Sequence, residues 1–156
     1  MEPSLEKSDQ LIVFTLSDQR YAVPLSAVER AVRVAYVTAL PKAPRIVLGV
    51  VNVQGRVIPV IDIRQRFRLP TRALAVTDQM LVAHTARRSV ALVVDAVTGV
   101  FDYSEQDVVS PQDVLPDIEY VAGVVRHADG LILIHDLDRF LSMDEEMVLD
   151  RAMEND

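Results

Sequence analysis

The segment from Gly49 to Arg64 reads Gly-Val-Val-Asn-Val-Gln-Gly-Arg-Val-Ile-Pro-Val-Ile-Asp-Ile-Arg: two apolar runs joined by an Asn-x-x-Gly turn and closed by an aspartate. A second version runs from Gly123 to Leu137, again opening Gly-Val-Val, turning at Gly130 where the first turns at Gly55, and ending at Asp136 where the first ends at Asp62. Short β-branched runs broken by turn residues are strand signals. A chain that encodes one hairpin twice is constrained to build two similar β units.

The segments before each hairpin repeat in the same order. Leu11–Leu16, the turn Ser17–Arg20 and a strand Tyr21–Leu25 correspond to Met80–Thr85, the turn Ala86–Arg88 and Ser89–Val94. A shift of 69 positions lays Ala22 on Ala91, Ala27 on Ala96 and Val28 on Val97, and a shift of 74 lays hairpin on hairpin. Two copies are too few for a solenoid. Strands this short, turned this often, predict a mainly β chain of small barrels in two similar units, not an open sheet, with short helices and a C-terminal helix. Residues 1–9 are expected to form a disordered polar start. The basic stretch Arg64–Arg72 reads as a solvated connector between the two units.

Local signals refine this picture. Ala31–Val37 reads as a strand and Leu40–Pro44 as a loop. Ser26 with Glu29, and Ser142 with Glu145, have the spacing of capping boxes, the second opening a helix from Met143 to about Met153. That helix carries Met143, Met147, Val148 and Arg151 along one face. Asp62 is placed to cap a helical turn over Ile63–Phe67. Pro59 lies inside the run Val57–Ile61, which predicts an edge strand or a bulge there. The same run is apolar on both faces, so a barrel interior must cover one side and a neighbouring element or partner the other.

Composition narrows the function classes. The chain has 156 residues, half of them apolar, and no cysteine, which removes disulfide frameworks and thiolate chemistry. The first ten residues are polar and acidic, unlike a signal peptide, and no apolar run approaches the ~20 residues of a membrane span. A soluble, cytoplasmic protein is expected. Net charge is −7, most of it beyond Asp144, and an acidic chain disfavours nucleic acid as a partner. The five glycines are not clustered to cradle a phosphate, and nucleophile-elbow, Walker and dinucleotide patterns are missing. His135-Asp136-Leu137-Asp138 supplies half a metal site without the spacing that completes one, so Asp136 reads as a helix cap. No catalytic residue, metal or cofactor is expected. What remains is apolar: Val28, Val51, Val53 and Val100 fall at strand ends or turns, where a contiguous exposed patch marks a protein contact.

Gly49–Arg64 closely resembles the signature segment of CheW-type coupling proteins. Phe14-Thr-Leu, Tyr21-Ala-Val-Pro, Leu40-Pro41-x-Ala43-Pro44, Val93-Val94-Asp95-x-Val97 and the closing Asp136-Leu-Asp-Arg-Phe-Leu extend the resemblance over about residues 10–153. It implies one domain over 10–153 made of two tandem, intertwined five-stranded SH3-like barrels packed together (about 12–70 and 78–140, terminal segments joining them), in a cytoplasmic, non-enzymatic scaffold recruited to membrane-associated receptor arrays. Such a scaffold links the regulatory domain of a CheA-type histidine kinase to the tips of methyl-accepting chemoreceptors. By position, Val28, Gly49, Gln54, Gly55 and Val100 fall where the family's receptor-groove residues fall, and Val51 joins them as a candidate contact.

The chain departs from the family at two places. It has Gln54 where the family commonly has arginine, and Arg30 where many members carry an acid. These changes admit an adaptor for a chemosensory system other than motility. A different class of reading, a small-ligand-binding or hydrolytic protein using the inter-barrel groove, would rest on the His135–Asp136 cluster.

Overall fold

A computed structural model describes residues 10–34, 36–109, 121–128 and 130–154; the terminus 1–9, expected to be disordered, lies outside them. Among the described residues eleven strands and two α-helices follow in chain order. They are β1 (Gln10–Leu16), β2 (Gln19–Pro24), β3 (Val28–Arg33), β4 (Val47–Val53), β5 (Arg56–Ile61), α1 (Ile63–Arg66), β6 (Gln79–His84), β7 (Ser89–Val94), β8 (Ala96–Asp102), β9 (Val108–Val109), β10 (Val121–His127), β11 (Gly130–His135) and α2 (Met143–Glu154). Single 3-10 turns precede β3 and follow β11.

The strands form two sheets, ordered β8-β1-β2-β11-β10-β9 and β3-β6-β7-β5-β4. The duplication is visible in the pairing itself. Val28 faces Ala83, and the equivalent pair Phe14–Val97 faces in the other sheet. Ala22 lies beside Ile134 in parallel register, as Ala91 lies beside Val60. The irregularities repeat as well: the bulge at Glu29 recurs at Thr98, and the one at Leu48 recurs at Ala122. Even the small β9 has a counterpart, because Val109 pairs with Val124 where Thr38 bridges Val50. Each bridge closes its barrel, which is why one sheet has a sixth, two-residue strand beyond the five expected.

The halves do not build one barrel each. β1 and β2 join β8–β11, and β3–β5 join β6 and β7, so the sheets cut across the expected division at 12–70 and 78–140. Each half gives its first hairpin to the other half's barrel. The parallel pairs β5–β7 and β2–β11 are the seams of this exchange.

Alternation along the strands explains the doubly apolar runs. In β6, Met80 and Val82 point into their own barrel, whereas Leu81 and Ala83 point into a core shared with the other. In β1, Leu11 and Val13 fill the second barrel and Phe14 and Leu16 the shared core. The second face is therefore covered by the other barrel, not by a partner. Leu149 and Ala152 of α2 complete the shared core.

Pro59 is in neither an edge strand nor a bulge, since β5 lies between β7 and β4. Opposite it, Val50 directs its N–H and C=O to Thr38 (2.8 and 2.9 Å), so the Val50–Pro59 pair makes no ladder hydrogen bond and a missing N–H costs nothing on that side.

The caps behave mostly as read. Asp62 accepts from Arg64 N at 3.2 Å, Asp136 accepts from Asp138 N at 3.1 Å, and Ser142 and Glu145 bond each other's backbone N–H at 2.8 and 3.1 Å. The Ser26–Glu29 box does not form. Pro24 occupies the cap of the Leu25–Ala27 turn without a side-chain bond, and the strand starts at Val28, so Glu29 is engaged elsewhere.

Candidate functional site

The β4–β5 turn sets out the first candidate contacts. Gln54 and Gly55 both have positive φ (51° and 85°), the geometry of a type I′ turn, and the Asn52 side chain accepts from Gly55 N at 2.9 Å. Both turn residues are exposed. Beside them Arg56 donates to Glu29 Oε1 (2.5 Å) and to Ser89 Oγ (3.3 Å), and Ser89 Oγ bonds Glu29 Oε2 (3.0 Å). The Arg56 and Ser89 hydrogen bonds hold the Glu29 carboxyl below its usual range. This cluster ties the turn to the start of β3, where Val28 is half-buried against the shared core. Val28, Gln54 and Gly55 thus belong to one barrel, linked through the Arg56–Glu29 pair of their chain neighbours. Val100 lies on β8 of the other barrel and is 56% exposed.

Two candidates are not surface residues. Val51 is 3% exposed, inside the barrel with Ile58, Val60 and Met80. Its neighbour on the strand, Asn52, is the outward one, because side chains alternate. Gly49 is buried against the Thr38 bridge: a Cβ there would overlap the Thr38 carbonyl oxygen and lie 2.8 Å from Val37 Cγ1. Its φ of 155° also favours glycine. The requirement at 49 is the closing of the barrel, so a partner meets neither residue.

One side of the junction between the barrels is tied by ions. Asp95 accepts from Ser17 N (2.9 Å), from Arg72 (2.6 Å) and from Arg64, whose guanidinium also bonds Ser17 Oγ (2.8 Å). Arg72 reaches on to both oxygens of Asp78 (2.7 and 2.9 Å). Arg72 lowers the Asp78 carboxyl. Burial works to raise that of Asp95, but the Ser17 N–H and the two guanidinium groups outweigh it and leave it low. The segment read as a solvated connector is therefore part of the joint, with Arg64 itself buried.

The opposite side holds an open cleft of about 320 Å³ lined by Ser26, His84, His135, Asp136 and Asp138 among others. Its groups are committed to structure. His135 is 2% exposed and stacks on Phe67 with centroids 3.9 Å apart, Asp136 caps its turn, and Asp138 accepts from Ala86 N at 2.7 Å. Among the described residues no group of three or more His, Asp or Glu side chains is placed to hold a metal ion. The arrangement positions elements.

A second cleft, of about 360 Å³, was not foreseen from the sequence. Val13, Arg20, Thr98, Val100, Phe101 and His127 line it. Only the repeat alignment, which lays Arg20 on Ser89 and Thr98 on Glu29, could have pointed to it.

Comparison with known proteins agrees with this geometry. The family model described as "CheW-like domain" matches residues 10–145. A chemotaxis protein CheW of Treponema pallidum is 30% identical over 142 residues, covering 87% of this chain and 84% of that one. A chemotaxis protein CheW of Rhizobium meliloti is 31% identical over 138 residues, covering 87% and 89%. The crystal structure of the scaffolding protein TtCheW from Thermoanaerobacter tengcongensis superposes with a TM-score of 0.80 at 26% identity, covering 88% of this chain and 95% of that one. Two exchanged barrels of this topology, matched along almost their whole length by sequence and by structure, make this chain a member of the CheW-like domain family.

Proposed function

We propose that this chain is a non-enzymatic cytoplasmic adaptor that couples a CheA-type histidine kinase to the tips of methyl-accepting chemoreceptors. The observation that carries the reading is the exposed Val100 on a terminal strand of one barrel, with Val28 on the equivalent terminal strand of the other. Two barrels locked by buried charge and a common core hold these strands at fixed separation, as a scaffold requires. Apolar anchors ringed by polar groups are what protein interfaces use. Among the described residues no helix is long and apolar enough to cross a membrane.

The test is binding of the cognate kinase's regulatory domain and of a receptor-tip fragment by calorimetry. Val100→Asp weakens at least one of them by about tenfold or more while the fold is kept, since an anchor residue typically contributes at least about 1.4 kcal/mol. Val28→Asp weakens binding too, with some loss of stability because Val28 also packs on the shared core. Full-strength binding of both partners by both variants refutes the surface. Gln54 and Arg30 favour a second reading on the receptor side, in which the partner receptor belongs to a system other than swimming.

A further inference from the structure

Because the barrels match residue for residue, a difference between equivalent places is informative. In one barrel Arg56 of β5 lies against Glu29 and Ser89, a cation with its anion. In the other, the same three places hold Gly130, Thr98 and Arg20. The cation has moved across: Gly130 has no side chain, and the Arg20 guanidinium fills the space, with Nη2 2.7 Å from where a Cβ on Gly130 would stand. Among the described residues the anion has no counterpart: Thr98 Oγ1 donates to the Val13 carbonyl at 3.1 Å, and Arg20 donates to the His127 carbonyl at 3.0 Å. Among the described residues no carboxylate pairs with Arg20.

A guanidinium offers five donors in a planar fork shaped for a carboxylate, and one of these is used. The cleft in front of it is open. A Cβ added at Gly99 would touch nothing within 4 Å, the His127 ring stands against Phe101 at 4.2 Å, and Val100 forms the rim.

We propose that this cleft docks an acidic side chain of a partner protein, its carboxylate pairing with Arg20 at the place Glu29 fills in the other barrel. The stem of that side chain and its neighbours pack on Val100. A half-buried cation with no anion among the described residues, set beside an exposed apolar anchor, is complementary to an Asp or Glu flanked by apolar residues. The inference rests on the adaptor reading only for the identity of the partner.

Two measurements test it. Binding of the cognate kinase's regulatory domain and of the receptor-tip fragment is measured for Arg20→Glu and for Thr98→Glu, which supplies the missing acid from within. Each variant, with its melting temperature unchanged or raised, loses about tenfold or more toward one partner, and the salt dependence of that binding falls. Affinities within about twofold of the parent for both partners and both variants overturn the proposal.

The second measurement needs no protein partner: the isotopically labelled chain is titrated with N-acetylglutamate and followed by NMR. Saturable shifts of Thr98, Val100 and the Arg20 Nε–H, lost in Arg20→Gln and not produced by N-acetylglutamine, support the site. Their absence overturns it. Should the parent bind neither protein, the adaptor reading fails and the titration still decides the cleft.

Discussion

At the level of single residues, the positions of greatest consequence are those where the backbone leaves little choice. Gly49→Ala forces a methyl group into the Thr38 carbonyl that closes the barrel. We expect a loss of about 3 kcal/mol in urea denaturation, the upper end for an overpacked site. Gln54 holds a left-handed φ without being glycine or asparagine. Gln54→Asn therefore raises stability by roughly 0.5 kcal/mol, read in the same experiment. Gln54→Arg restores the charge common in the family on an exposed turn, and it shifts receptor-tip affinity more than kinase affinity; equal shifts in calorimetry would refute that division. These turn positions were legible in the sequence because an Asn-x-x-Gly signature between apolar runs has a local cause. The burial of Gly49 and Val51 was not, because it depends on a bridge from Thr38, a residue separated from them by a loop.

Among the elements, α2 shows how charge and packing divide the work. Its exposed side carries Met143 and Met147, while its inner side presents Glu146, only 4% exposed, to Arg88 at 3.1 Å. Arg88 also reaches Asp150, and Arg66 bonds Glu145 at 2.6 Å. The acidic tail, which reads in the sequence as plain negative charge, is a docked helix clasped by arginines. Periodicity showed the helix and its capping box, but the burying of an acid needs a partner that only the fold supplies. Arg88→Ala strands Glu146 with Arg87 at 3.9 Å as its remaining cation, and we expect a loss of about 3 kcal/mol by denaturant titration.

The ion joint at Asp95 makes a prediction in pH. Asp78, Asp95 and Glu145 have folded-state carboxyls held below the usual range. A depressed carboxyl contributes stability above its unfolded pKa and loses it as pH falls through the folded value. Stability should therefore be flat from neutral pH down to about 5 and decline below about 4. In Arg72→Gln the deficit seen at neutral pH narrows along that same acid limb. A deficit independent of pH would show that Arg72 acts through packing alone.

For the whole molecule, the two-barrel architecture was readable because the hairpin is written twice, and its strands carry enough apolar residues for two faces. The partition was not readable. Nothing local tells β1 to pair with β8, or β2 with β11, in place of strands of their own half. That choice is made by the shared core, where Phe14, Leu16, Leu81 and Leu92 meet. Of the residues expected to meet a partner, Val100 and the Gln54–Gly55 turn are outward, whereas the cleft at Arg20 appears only when the two barrels are laid on each other. The barrels' strict register, down to matching bulges, is what allows a lost anion to be noticed at all.

The exchange of first hairpins has a further consequence. A protease cut near Val76, an 87% exposed position, would leave two pieces that denaturant can separate, neither of which owns a complete barrel. Each should be unstructured by itself, and mixing them should regenerate a compact heterodimer, visible in circular dichroism and gel filtration.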